Sequence, residues 1–256
     1  MNVFEKDILI RSGTCDRFGR WKPNEILMAM QEMAGEHSEY LGCGRENLIK
    51  RSGAIWILTR SEFHVRRYPV WLDVVKARTF PTTARRTLYP RFFVFENQQG
   101  EVLATASSYW AVMDLAAGAM ASLDWVNACI PKNDNLEKPI GYPSAVKQAE
   151  AEEQVIPYSP RFSDLDLNGH VNNTRCADWA TDLMGEEVLG TTPIQSLVVN
   201  YNREIRGKEP VDFSFRLSVS AYSLRCSRDG VPYVDVGGTL MEKGAEGGKP
   251  SPLAAP

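Results

Sequence analysis

The sequence predicts an α+β fold made by duplicating one unit, a helix followed by an antiparallel sheet. Three observations carry this: a polar loop that recurs at constant spacing, an amphipathic helical pattern after each copy, and β-rich runs after each helix. A chain of 256 residues suits two small domains of about 100 to 150 residues each.

The first loop, Asp16-Arg-Phe-Gly-Arg-Trp-Lys-Pro-Asn24, matches Asp164-Leu-Asp-Leu-Asn-Gly-His-Val-Asn172 at an offset of 148, which also joins Leu41-Gly42 to Leu189-Gly190. After the first loop, Ile26, Leu27, Met30, Met33, Ala34 and Leu41 recur at helical spacing with glutamates between them. Asn24 is the expected cap of this helix and Gly42 its stop. After the second loop, Cys176, Trp179, Ala180 and Leu183 repeat the pattern, with Asn172 or Asn173 as cap and Gly185 or Gly190 as stop. Strands are expected at 54–65, 73–80, 91–96 and 102–113, then at 194–201, 211–220, 223–227 and 233–240, with a hairpin turn at 228–230. The expected organisation is a first half at 1–130, a polar linker at 131–152, a second half at 153–242 and a disordered tail at 243–256 rich in Gly, Pro and Ala.

Composition excludes several classes. With 43% hydrophobic and 24% charged residues the chain is neither disordered nor fibrous. It has no run of about 18 apolar residues, and its start carries acids and an arginine instead of an apolar run, so no membrane association and a cytoplasmic location are expected. Five widely spaced cysteines without a CxxC pair argue against disulfides and zinc, and three histidines argue further against a metal. A net charge of -3 gives no reason to expect nucleic acid. Locally, 60–91 holds eight basic residues against two acids, a stretch suited to an acidic partner.

The densest chemistry lies in SDLDLNGHVNN at 163–173, where two carboxylates, three carboxamides and the second half's one histidine precede a helix. Asp164 and Asn172 read as turn and cap residues. Asp166, Asn168 and His170, at spacing two, would share one face if extended, beside a helix N-terminus whose free N–H groups suit an oxyanion. Cys176 is in register with the helix's core positions and reads as core, not nucleophile.

This loop, followed by a helix with Trp179, resembles the signature of the acyl-ACP thioesterases of plants and bacteria. The resemblance runs over nearly all of residues 3–240, through Asp16, Gly19-Arg20, Gln31, Leu41-Gly42, Trp56, Arg66, the stretch 69–73 and SYWAVMD at 108–114, in the family's order. It implies a double hotdog fold, in which each long helix is wrapped by its sheet. It also implies hydrolysis of fatty acyl-ACP by the loop's Asp166, Asn168 and His170 with Glu204, which lies in NYNREI on a downstream strand. No cofactor is implied. In the plant enzymes a cysteine follows that glutamate, whereas this chain has Ile205, so a thiol is not needed there. The partner implied is acyl carrier protein, acidic as a family, with 60–91 as its expected dock; the enzyme would be a monomer or homodimer. The acyl chain is expected in the first half, near Met30, Met33, Trp56 and Phe93. An acyl-CoA thioesterase, or a non-catalytic module that binds acyl thioesters, are the competing readings.

Overall fold

The computed structural model describes residues 2–207 and 209–243. From 244 onward, the expected disordered tail lies outside the described residues. The first half contains β1 (Phe4–Leu9), α1 (Pro23–Tyr40), α2 (Arg45–Ser52), β2 (Ala54–Val65), β3 (Val74–Pro81), β4 (Leu88–Glu96), β5 (Val102–Asp114), β6 (Ala119–Ala121) and α3 (Asp124–Cys129). The second contains β7 (Glu153–Tyr158), α4 (Arg175–Thr191), β8 (Ser196–Tyr201), β9 (Val211–Leu217), β10 (Ala221–Arg228) and β11 (Val231–Thr239). The strands form one antiparallel sheet in the order β1-β3-β4-β5-β2-β8-β11-β10-β9-β7, with β6 beside β5. The halves join where β2 pairs with β8, Phe63 opposite Leu197.

Alternation along the strands gives the sheet one apolar face. Against it lie α1, through Met30 and Met33, and α4, through Trp179 and Ala180, in a core that takes in Phe63, Phe93, Leu197 and Phe213 from both halves. A second, smaller cluster of Cys43, Leu48, Ala54, Tyr89, Val112, Val126 and Ile130 sits under α2 and α3. Among the described residues no helix is long and apolar enough to cross a membrane.

β2 occupies the bounds expected, and the other seven expected strands are present with ends moved by a few residues. Sequence reading missed β1 and β7, the two edges of the sheet, because FEKDIL and EQVIPY carry the charge and proline that edge strands use against aggregation. It also missed the short helices α2 and α3. Asn24 does not cap α1: Lys22 is the N-cap, and Pro23 takes the first helical position, where its missing N–H costs nothing. Thr174 is the N-cap of α4, and Asn172 Oδ1 accepts from its amide and hydroxyl. Gly42 follows α1 at φ 78°, while Gly185, at φ 72°, interrupts α4.

Residues 130–152 hold no helix or strand, yet they are strapped to the sheet's outer face. Ser144 donates its amide and hydroxyl to Glu62 Oε2 at 2.6 and 2.9 Å, Ser107 donates to the Gly141 carbonyl, and Tyr142 stacks on Tyr109.

Candidate active site

The polar loop is a closed turn, so Asp166, Asn168 and His170 do not line one extended face. Asp166 N–H donates to the His170 carbonyl at 2.7 Å, and Gly169 N–H to the Asp166 carbonyl at 3.0 Å. Asp166 Oδ1 folds back to accept the amides of Asn168 at 2.8 Å and His170 at 3.2 Å. Gly169, at φ 73°, supplies the left-handed corner that a side chain would strain. Below the turn, buried Asp164 accepts from Tyr158 Oη at 2.6 Å, Arg161 N–H at 2.7 Å and Arg175 Nε at 3.0 Å. Burial raises its pKa, but these donors outweigh that and hold the carboxyl below its ordinary value.

The turn brings His170 to Glu204. His170 Nδ1 lies 3.6 Å from Glu204 Oε2, with side chains 22% and 46% exposed. That is beyond a formed hydrogen bond but within the reach that tightens when substrate binds. Glu204 stands in the loop after β8, not on a strand as expected. Its Oε2 also accepts from Arg206 Nη2 at 2.7 Å, the kind of pairing a surface glutamate would make. Asn168 is exposed; its Oδ1 accepts from Arg45 Nη2 at 3.2 Å, and its Nδ2 lies 3.4 Å from Asp166 Oδ2. Arg45 opens α2, so the first half reaches the second half's turn. Sequence reading missed it, since no motif marks an arginine 123 residues away.

Two further expectations change. The amides of Val171 and Asn172 are committed to the carbonyls of Ile205 and Asp164, so neither is open to an oxyanion. The basic stretch 60–91 is dispersed: Arg67 pairs with Glu101, Arg78 with Glu96, and Arg91 is buried. Among the described residues no thiol stands beside His170 and Glu204. Ile205 is core, and Cys176 is buried, which pushes its pKa far up, as expected of a core cysteine. Met30, Met33 and Phe93 are buried in the main core, while Trp56 packs against the smaller cluster.

The internal repeat is real but its register is 150, not 148. Asp16 N–H donates to the Arg20 carbonyl at 2.8 Å, Gly19 N–H to the Asp16 carbonyl at 3.0 Å, and Asp16 Oδ1 accepts the amides of Phe18 and Arg20 at 2.8 and 3.0 Å. The short 3-10 turns before the two loops, Ser12–Thr14 and Phe162–Asp164, keep the same offset. Matching by letters favoured Asp164 for Asp16; matching by hydrogen bonds gives Asp166.

Residues 1–123 match the family model described as the acyl-ACP thioesterase N-terminal domain, and 147–230 match the model of its C-terminal domain. Among curated proteins, the chain is 26% identical over 204 residues to oleoyl-acyl carrier protein thioesterase, chloroplastic, of Coriandrum sativum, covering 73% of this chain and 55% of that one. It is 27% identical over 221 residues to palmitoyl-acyl carrier protein thioesterase, chloroplastic, of Cuphea hookeriana, covering 82% and 53%. The chain thus spans about half the length of these curated relatives. Among solved structures, an acyl-ACP thioesterase from Bacteroides thetaiotaomicron superposes with a TM-score of 0.81 at 20% identity, over 93% of this chain and 98% of that one. The 12:0-ACP thioesterase from Umbellularia californica gives 0.78 at 19%, over 94% and 97%. Both likenesses carry the fold, a double hotdog.

Proposed function

The chain belongs to the acyl-ACP thioesterase family, and on that premise we propose that it hydrolyses the thioester of fatty acyl-acyl carrier protein to free fatty acid, through Asp166, Asn168, His170 and Glu204. The observation that carries the reading is the approach of His170 Nδ1 to Glu204 Oε2, 3.6 Å apart, across a turn that Asp166 holds closed. Two bases at that separation can share the proton of one water. The water oxygen adds to the thioester carbonyl carbon as its proton passes to Glu204 or His170. Asn168, its Oδ1 tied to Arg45, has an amide hydrogen left to hold the carbonyl oxygen as it becomes negative. The tetrahedral species then collapses, the carbon–sulfur bond breaks, and the carrier's thiolate takes up the proton.

Asp166 is a positioning residue in this scheme. It touches the backbone of Asn168 and His170, and its carboxylate needs no contact with substrate. An acidic carrier would approach over Arg45 and Arg206, exposed cations beside the pair, and not over the dispersed stretch 60–91.

The test is release of free thiol from acyl-ACPs and the matching acyl-CoAs by the wild type, Glu204→Ala and His170→Ala. Hydrolysis of acyl-ACP lost in both folded variants, by about 10²- to 10⁴-fold, is the expected result. Faster turnover of the CoA esters would make the carrier CoA. No hydrolysis of any thioester would leave a binding module.

A further inference from the structure

A row of polar side chains crosses the helix-facing side of the sheet, between the two apolar clusters. On β4, Tyr89, Arg91 and Phe93 share that face; Tyr89 belongs to the smaller cluster and Phe93 to the main core. Arg91 stands opposite Ser108 of β5, Ser108 opposite Ser61 of β2, and Ser61 opposite Val199 of β8. Thr79 of β3 closes one end. At the other is Tyr201 of β8, whose buried hydroxyl lies beside Ser61 and Cys176. Thr79, Ser61 and Ser108 are all buried. Thr79 Oγ1 gives its hydrogen to the Phe92 carbonyl at 2.9 Å, whereas Ser108 Oγ accepts from Trp110 Nε1 at 3.0 Å and keeps its own hydrogen to donate.

Arg91 is the anomaly in the row. It is 5% exposed, and among the described residues no carboxylate pairs with it. Among the described residues Nη1 makes its hydrogen bonds, at 3.0 Å to His37 Nδ1 and 3.3 Å to Thr79 Oγ1. Burial pulls its pKa down to about 10, so it is still a cation at neutral pH. A buried cation without an anion is a standing cost that a ligand's oxygens can relieve. The row also leads toward the site: β4 and β8 are three strand spacings apart, roughly 14 Å, and Glu204 follows β8 directly. That span fits an acyl chain of medium length.

We propose that Arg91, with Ser108 and Ser61, forms a subsite for an oxygen acceptor, above all a carboxylate, at the far end of the acyl chain. This rests on the hydrolase reading and narrows it: the substrate is an acyl thioester oxygenated at its distal end, not a plain hydrocarbon chain. A site built to hydrogen-bond a polar group discriminates sharply against the analogue that lacks it, because its own groups are then left unpaired.

The experiment compares acyl carrier protein loaded with a decanoyl chain or with its ω-carboxy counterpart, using the wild type and Arg91→Met, with melting temperatures for both proteins. The wild type should favour the ω-carboxy chain in kcat/KM, and the ratio should fall by at least about tenfold in Arg91→Met. The variant's melting temperature should hold or rise, since an unpaired buried charge has been replaced by an apolar side chain. A wild type that cleaves the decanoyl ester as well as or better than the ω-carboxy ester would overturn the subsite and leave the hydrolase reading intact, even if the variant did not fold. A lowered melting temperature with an unchanged ratio would make Arg91 structural. If neither ester were cleaved, the hydrolase reading itself would fail and the subsite with it.

Discussion

The turn at 16–21 and the turn at 166–171 have nearly one backbone and two purposes. In each, an aspartate accepts the amides two and four residues on, a glycine with φ of 78° or 73° makes the corner, and the last residue donates to the loop of a partner strand. Each turn also docks on the other half: Phe18 packs on Gly190 of α4, and Asn168 accepts from Arg45 of α2. The difference lies in three side chains. Where the second turn has Asn168, His170 and Glu204, the first has Phe18, Arg20 and Tyr68. Arg20 is 7% exposed; it pairs with Asp16 Oδ2 at 2.9 Å, donates to the Leu189 carbonyl and lies over Phe18 and Tyr68. The frame is therefore a scaffold. Satisfying every side chain in it gives a rivet between halves, and leaving them half-exposed and loosely paired suits the reactive centre proposed for the second turn.

Exchanging the residues at the fifth position breaks the comparison most severely. His170→Arg should leave a folded protein, since the frame already accommodates arginine at Arg20, with thioester hydrolysis reduced by about 10²- to 10⁴-fold. Arg20→His should do the reverse, retaining activity while unfolding is easier by about 2–4 kcal/mol, because Asp16 and the Leu189 carbonyl lose a buried partner. Rates and denaturant midpoints for the two variants check this together. Activity lost on Arg20→His with no loss of stability would mean the first turn is more than a rivet.

Much of this was legible in the sequence, and the limits have physical causes. The two long helices, α1 and α4, were read from apolar spacing and most strands from β-branched and aromatic runs, because both patterns record burial directly. The edge strands β1 and β7 were not, because one-sided pairing leaves them charged. The polar loop announced Asp166, Asn168 and His170 as a group. Its closure was hidden, because spacing of two suggests an extended strand whereas a glycine corner and one folded-back carboxylate make a turn. Glu204 came from family resemblance alone; nothing local distinguishes it from a surface glutamate, and its bond to Arg206 is what such a residue would make. Arg45 and the row ending at Arg91 arise from strand order and cross-half packing, which local sequence does not encode.

Acid should sharpen the comparison at Asp164, whose counterpart in the first turn is Thr14, a residue without charge. Burial raises the Asp164 pKa, but Tyr158, the Arg161 amide and Arg175 more than reverse this, so its folded value lies below the ordinary 3.8. A depressed carboxyl contributes stability that is complete above its unfolded value and is lost as pH falls through the folded one. Asp164→Asn should therefore be less stable than wild type by about 2 kcal/mol at neutral pH. The gap should stay constant down to about pH 4 and close only below it. Melting curves from neutral pH to about pH 3 measure it. A gap that does not change with pH would show that shape, not charge, anchors the second turn.

The smallest effect expected is at Arg45, and it separates docking from chemistry. Phe18 docks on Gly190 through contact that a Cβ would crowd, 3.1 Å from the Phe18 ring, so the first turn is held by packing. Across the halves Asn168 is held by one hydrogen bond, from an exposed arginine, and that bond helps to fix the orientation of its amide. With Oδ1 on Arg45 and Nδ2 toward Asp166, one amide hydrogen is left, the one that the proposed step gives to the carbonyl oxygen. Arg45→Ala frees the amide to rotate, so kcat should fall about threefold to tenfold. Melting should be unchanged, since an exposed hydrogen bond of this kind contributes little to stability. Arg45→Lys should recover part of the rate because it can still donate to Oδ1. If kcat on a small acyl thioester does not move, Asp166 alone orients Asn168, and Arg45 serves docking only.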